Sequence, residues 1–462
     1  MDKYQQMTTQ PVERLVLRLA FPTVTIMLIS SLYNMADTYF VGKLGTVSVA
    51  AVGIAVSFMA VIQAVGFFFG QGAGNHISRA LGARQHESAQ QMASTALVCA
   101  GIAGLGIAVA GALFAEQIAL LLGATPTILA DAADYLRCVA LGAPFICMSL
   151  MLNNILRFQG NAFYGMIGMV SGAVFNCVLD PLLIYGFNMG VKGAAGATAI
   201  SQTVGFVLLL VGCRHGGNVS ISLNALRFSG AFFAEIVRGG LPSLLRQGIA
   251  SIGVLVLNRA AAPFGDAALA AIAIANRIVL LCGSALIGFG QGFQPVCGFN
   301  FGAKKYSRVR RAFWFCLLVA IGVLVLLSTL GSLFAPRIIA LFRADDAEVV
   351  RLGAAFLRYQ FLSLPLTAVI ILTNMLLQTT RKSIRASILS AARQGLTLIP
   401  LALILSSQLG LFGLQIATPI ADCVTFLIAV PLMVSGLKGK NDDTDTDGSA
   451  GDLDLRQSDF EA

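Results

Sequence analysis

The chain reads as an all-α integral membrane protein with twelve transmembrane helices in two six-helix lobes, and three observations carry that reading. The first is composition: 57% of the 462 residues are hydrophobic and 11% charged, where a soluble domain carries about 25% charged residues. The second is a succession of apolar runs of the length that crosses a bilayer, about 20 residues. They fall near 15–41, 48–75, 91–115, 135–158, 163–187, 194–213, 240–262, 268–296, 312–335, 354–378, 388–408 and 412–436. The third is an internal duplication. Slid by 220 positions, Leu19-Ala-Phe-Pro22 meets Gly239-Gly-Leu-Pro242 and Phe69-Gly-Gln-Gly72 meets Phe289-Gly-Gln-Gly292. At an offset of 221, Asn153 meets Asn374.

The duplication divides the chain into a first lobe over 1–213, a linker over 214–239, a second lobe over 240–440 and an acidic tail over 441–462. Six spans per lobe is an even number, so both lobes enter the membrane from the same side as parallel repeats. A binding site is then expected between them, with alternating access by rocking. Within the linker, Leu226 to Val237 has the pattern of a short amphipathic helix. The tail is acidic and poor in aromatics, which predicts disorder.

The net charge of +9 separates into about +16 for the body and −7 for the tail. Most of the body's Lys and Arg fall in the loops after the even-numbered spans, Arg79, Arg84, Arg157, Lys304, Lys305 and Arg381 among them. That asymmetry places those loops and both termini in the cytoplasm, and it accounts for the basic balance without nucleic acid. The polar start, Met1 to Gln10, is not a signal peptide, so the first apolar stretch stays as a span. Nine cysteines stand singly in or beside apolar runs with no CxxC; they read as small hydrophobes. Walker, HExxH and GxSxG motifs are missing, so the chain has no residues for ATP hydrolysis or proteolysis and is not read as an enzyme.

The stretch with chemistry is Asn176-Cys-Val-Leu-Asp180-Pro181, inside the fifth span. An ionised Asp there costs roughly 2.5–3.5 kcal/mol on insertion scales, so it is expected to face a polar interior and mark an ion or proton path. Asn176 and Asp180 share a helix face. Pro181 leaves the Cys177 carbonyl without its helical donor, putting an amide, a carboxylate and a free carbonyl in one small volume. Asp37 in the first span and Thr198 in the sixth fall in the same outer layer: Asp37 and Asp180 lie roughly 6 and 10 Å from the outer ends of their helices. Two close carboxylates hinder each other's ionisation, so the pair holds a proton easily or is neutralised by a cation. The duplication acts as a control, since Asp37 corresponds to Leu257 and Asp180 to Leu401; neither carboxylate is needed merely to build a lobe.

Other residues rank lower. Pro22 corresponds to Pro242 and reads as a structural kink that could also gate, as Pro181 could. Asn153 could touch a substrate, although its match with Asn374 favours a structural role. The paired Phe-Gly-Gln-Gly runs read as close-packing devices. Arg277 and Asp422 sit at similar depth in the second lobe, roughly 15 Å below the outer surface, and neither recurs in the first lobe. They are expected to pair across the eighth and twelfth spans.

Taken together, Ala36-Asp37-Thr-Tyr-Phe-Val-Gly42, Leu156-Arg157-Phe-Gln-Gly160, Asn176 to Pro181 and Gly193-Ala-Ala-Gly-Ala-Thr198 resemble the multidrug and toxic compound extrusion (MATE) transporters. The resemblance covers essentially residues 10–437. It implies a V-shaped pair of six-helix bundles, working as a monomer in the bacterial inner membrane, that exports organic, often cationic, compounds against inward H⁺ or Na⁺ flow. No cofactor beyond the coupling ion is implied. The family's first-lobe ion site falls on Asp37, Asn176, Asp180 and Thr198, with Na⁺ the one metal it could take, at Asp37 and Asp180. A branch with acidic residues in the seventh and tenth helices finds no counterpart in this chain. The alternative is a flippase for a lipid-linked precursor, from a related superfamily. That function calls for a strongly basic central cavity, and the arginines read here as mid-membrane are few: Arg246, Arg259 and Arg277.

Overall fold

The computed structural model describes residues 3–42, 44, 46–342 and 346–437, apart from the side chains of 34–39, 42, 46–49 and 223. The tail over 441–462 lies outside the described residues. In order, the helices are α1 (Lys3–Thr9), α2 (Val12–Gly42), α3 (Thr46–Gly82), α4 (His86–Leu113), α5 (Ala115–Leu121), α6 (Leu129–Phe158), α7 (Ala162–Pro181) and α8 (Gly190–Cys213). The second half continues with α9 (Gly230–Ala261), α10 (Asp266–Gly302), α11 (Tyr306–Leu333), α12 (Ala335–Ala340), α13 (Ala347–Thr379), α14 (Ser383–Ala391) and α15 (Ile399–Leu437). Among the described residues there is no strand. Among the described residues eleven stretches are long and apolar enough to span a membrane, and the last, Ser383–Leu437, is 55 residues long. It turns at Gly410, whose φ of 62° and ψ of −139° leave the helical region. That stretch therefore supplies two spans, and all twelve predicted spans are present. A glycine is required at the turn because a Cβ disfavours this backbone geometry.

The helices overrun the predicted spans. α3 and α10 each have 37 residues, about 55 Å at 1.5 Å per residue, so each projects well beyond an apolar layer of about 30 Å. Their C-terminal halves carry the duplicated Phe-Gly-Gln-Gly runs and form the seam between the lobes. A Cβ on Gly72 would stand 2.3 Å from the carbonyl oxygen of Ile236 in α9, and one on Gly292 would stand 2.5 Å from the Cα of Ala20 in α2. The lobes thus cross twice, α3 on α9 and α10 on α2, at matched positions of the repeat where only hydrogen fits between backbones.

Two expectations are corrected here. Residues 226–237 do not form a separate linker helix. Ser229 caps α9, accepting a hydrogen bond from the Ala231 amide at 3.2 Å, and the helix then runs unbroken to Ala261. Packing decides this: the first turns of α9 lie against α3, where Gly239 and Gly240 allow a backbone contact that a detached surface helix would not make. Arg157, counted above among loop cations, is 1% exposed in α6, so it is part of the interior and says nothing about topology.

The other basic loops do gather with the chain ends. Asn300 donates to the Met7 carbonyl at 3.1 Å, Lys305 to that of Thr8 at 3.2 Å and Arg308 to that of Gln10 at 2.6 Å. Lys382 donates to the Ser435 carbonyl near the end of α15. Lys3 reaches Asn218 at 2.9 Å, and burial pushes its ammonium down to about 8. This face of the bundle is called the terminal face below.

Candidate functional site

The fifth and sixth helices approach closely because their facing stripes are small. A Cβ on Gly172 would lie 3.2 Å from the Ser201 carbonyl, and one on Gly205 3.3 Å from the Gly168 carbonyl. That approach brings the polar residues of α7 and α8 into one another's reach. Asn176, Asp180 and Thr198 are 2%, 0% and 3% exposed. The Asn176 amide donates to Asp180 Oδ1 and to Thr198 Oγ1, both at 3.4 Å. These are long for amide hydrogen bonds, whose usual range is 2.7–3.2 Å, so the three groups surround a space slightly larger than direct contact requires. Asn176 Oδ1 and the neighbouring Ser201 hydroxyl are buried with no hydrogen-bond partner among the described residues. A carboxylate, an amide oxygen and hydroxyls make an all-oxygen donor set, which suits a proton or a hard cation such as Na⁺.

Pro181 ends the regular part of α7. The next residues, Leu182–Gly186, form a π-helical turn, in which a widened backbone re-aims side chains. The turn is seated on Gly193 of α8, where a Cβ would stand 2.8 Å from the Leu183 backbone. Its Tyr185 hydroxyl donates to the Phe40 carbonyl of α2 at 2.6 Å. This ties the C-terminal end of the first span to the kink after Asp180. Asp37 belongs to the same helix, which lies along α7; its side chain lies outside the described residues. A narrow cleft opens on the cluster, lined by Ser30 and Tyr33 of α2, Ser149 of α6, and Asn176, Thr198 and Gln202.

Sequence comparison matches residues 22–182 and 242–404 to the MatE family model, once per lobe and with starts spaced as the internal repeat is. The chain belongs to the MatE family. It is a MATE transporter with its membrane-spanning helices in two repeated lobes. Among similar proteins, the multidrug export protein MepA of Staphylococcus haemolyticus is 30% identical over 422 residues, covering 91% of this chain and 93% of MepA. A solved outward-facing multidrug resistance MATE transporter of the MOP superfamily superposes with a TM-score of 0.88 at 29% identity, over 95% of this chain and all of that one. A MOP superfamily transporter from Pyrococcus furiosus, described as having a binding pocket of reverse polarity that suggests a different function, superposes equally well: TM-score 0.88, 28% identity, covering 95% and 99%. Overall shape therefore does not choose a substrate, and the polar residues carry that question.

In this MatE chain Pro22 is buried in α2 at the lobe seam. The adjacent Thr23 hydroxyl lies 2.6 Å from the Gly288 carbonyl of α10, so the kink sits where one lobe meets the other. Asn153 does not line the cleft. Its Oδ1 would meet a Cβ on Gly165 at 2.5 Å. Its counterpart Asn374 donates to the Ala386 carbonyl at 2.7 Å and the Ser390 hydroxyl at 2.8 Å. Both repeats use this Asn where the fourth and fifth helices of a lobe meet.

The second lobe overturns the expected pair. Asp422, 3% exposed, accepts from Arg393 Nε at 2.8 Å and from the Ser363 hydroxyl at 3.0 Å. Arg277 is exposed on α10 and is not its partner. Matching depths fix only the position along a helix. The buried face of α10 passes through Ala271 and Ala275, and a residue two places beyond Ala275 points about 200° around the axis. Arg393 was missed, although it lies within the predicted eleventh span, the one signal that could have found it; it sits in a π-helical stretch, Ala392–Leu398. Arg157 was missed as well. Its guanidinium donates to the Gln291 carbonyl at 2.9 Å, Gln294 Oε1 at 2.8 Å and Asn154 Oδ1 at 2.5 Å, and it stacks 4.4 Å over Phe158. The contacts to Gln291 and Gln294 cross the seam from α6 to α10. The repeat held the signal, since Gln378 occupies the matching position of the second lobe.

Proposed function

We propose that the chain is a secondary antiporter that exports organic, often cationic, compounds in exchange for H⁺ or Na⁺, its two lobes rocking to expose the site alternately to the two sides. The observation that carries this reading is the buried oxygen cluster of Asn176, Asp180 and Thr198 beside a cleft in the first lobe. The export function described for MepA supports it. Asp37 and Asp180 hold the coupling ion. Either a shared proton or a Na⁺ relieves the repulsion between the two carboxylates, and its release lets the outer end of α2 shift against the π turn that Tyr185 ties to it. The basic terminal face is cytoplasmic, and the membrane is the bacterial inner membrane. The protein works as a monomer, and no cofactor beyond the coupling ion takes part.

Purified protein in liposomes loaded with a fluorescent cationic dye tests this. A proton gradient and a sodium gradient are imposed separately, each with the driving ion on the side opposite the dye. Dye movement driven by at least one gradient and lost in Asp180→Asn is the expected result. Movement unaffected by both gradients, or unchanged in that variant, removes the antiport reading.

A further inference from the structure

A cavity of about 200 Å³ lies on the terminal face where α3 of the first lobe meets α9 and the α13–α14 loop of the second. Its charged lining is Arg79, Glu235, Arg238 and Arg381. Glu235 is fully engaged: Arg79 Nη2 and Arg381 Nη2 donate to its two oxygens, each at 2.8 Å, and His76 Nδ1 lies 3.7 Å away. Arg238 stands one helical turn from Glu235 on α9 and has no ion-pair or hydrogen-bond partner among the described residues. Two guanidiniums thus bond one carboxylate and a third stands unpaired beside a space open enough for a ligand.

The internal repeat shows that closing the seam does not require this charge. At the pseudo-equivalent crossing of α2 and α10, Arg79 is matched by Phe299 and Glu235 by Leu15, which are 2% and 1% exposed in one apolar core. Arg381 is matched by Gly160. Both residues have positive φ, +62° for Arg381 and +82° for Gly160. Glycine is the ordinary occupant of that conformation, since a Cβ is disfavoured there. The second lobe thus keeps an arginine in a strained backbone position, and that arginine points to the cavity.

We propose that this cavity binds a phosphate-type oxyanion, which bridges Arg79 of the first lobe to Arg238 and Arg381 of the second and favours the arrangement closed at the terminal face. Guanidiniums match the oxygens of phosphate with paired, charge-assisted hydrogen bonds. The excess positive charge supplies the attraction that Glu235 leaves unmet. Two sources share this chemistry, a phosphodiester lipid headgroup at the membrane surface and free phosphate.

The test uses the full-length protein, with thermal unfolding followed as a function of anion. In detergent, inorganic phosphate is titrated against chloride at equal ionic strength. In nanodiscs, phosphatidylcholine is compared with phosphatidylcholine containing phosphatidylglycerol. The variants are Arg238→Gln, which removes a side chain with no protein partner and so leaves the seam's own bonds in place, and Arg238→Gln combined with Arg381→Gln. A saturable rise in Tm with phosphate, with phosphatidylglycerol or with both is expected, its midpoint shifted at least about tenfold in Arg238→Gln and abolished in the double variant. Phosphate alone identifies the free anion, and phosphatidylglycerol alone the headgroup. No saturable response to either source, or an equal response in wild type and variants, overturns the site.

Discussion

Asp180 in the first lobe and Asp422 in the second are both buried carboxylates facing a lobe interior, and their settings differ in kind. Asp180 receives the Asn176 amide at 3.4 Å in a loosely spaced cluster beside a cleft. Asp422 is held by a guanidinium at 2.8 Å and a hydroxyl at 3.0 Å. Neither carboxylate belongs to the duplicated plan, because Asp180 is matched by Leu401 and Asp422 by Gln202. Each was placed on a scaffold that did not need it. A carboxylate bonded at short range to its own arginine is neutralised in place, which favours structure. Asp180 has no arginine bonded to it at short range among the described residues, and its amide contact is long. The contrast suits the first lobe to the coupling proposed above and the second to holding its own helices together.

The sharpest way to break this comparison is to neutralise the two carboxylates in turn. Asp180→Asn is expected to leave the protein folded and to reduce coupled export by at least about tenfold, equivalent to ~1.4 kcal/mol or more in the driving step. Asp37→Asn is expected to do the same. Drug resistance at matched expression, together with gradient-driven dye transport, reads both. Normal resistance in either variant would remove that carboxylate from the coupling site.

Stability, not coupling, is the expected readout for the second lobe. Arg393→Leu alone strands the buried Asp422 carboxylate and is expected to cost about 3–5 kcal/mol; Asp422→Leu strands an arginine whose side chain is 27% exposed and is expected to cost less, and the double variant costs far less than the sum. A double-mutant cycle on thermal unfolding measures the coupling. Arg277→Leu run against Asp422→Leu supplies the contrast and should add without interaction, as Arg277 is exposed. Strict additivity between the Arg393 and Asp422 variants would dissolve the pair.

The seam offers a comparison in which the lobes should behave alike. Gly72→Ala and Gly292→Ala each force a Cβ onto backbone of the other lobe, at 2.3 and 2.5 Å before relaxation. Each is expected to destabilise by roughly 1–3 kcal/mol. A loss confined to one of them would show that the two crossings are not equivalent.

The smallest effect concerns the matched left-handed residues Arg84 and Lys304, with φ of 60° and 59°. Lys304→Gly relieves a strained Cβ and is expected to stabilise by under about 1 kcal/mol, part of the relief being cancelled by the more flexible unfolded chain. Arg84→Gly gains less because its guanidinium stacks 4.4 Å over the Tyr4 ring. Melting temperatures measured side by side decide the order.

Hydropathy, charge asymmetry and the repeat were enough to predict twelve spans in two lobes, because each depends on local composition or on the chain compared with itself. The Asn176 and Asp180 partnership was legible for the same reason: four residues apart on a helix is a local geometry. Depth along a helix is also readable from sequence, and it brought Thr198 to the cluster. Rotation about the axis is not. That is why Arg277 and Asp422 matched in depth and still missed each other, and why Arg393, on the facing turn, took the place. Arg157 makes the same point from the other side. A single arginine near a helix end looks like a loop cation until a second lobe, more than a hundred residues away in sequence, closes over it with Gln291 and Gln294. The continuous α9 and the charged cavity at Glu235 likewise exist only once the lobes meet. Sequence by itself determined the helices, their lobes and the helix face bearing the site; tertiary structure decided which charges meet, since that depends on packing between helices distant in the chain.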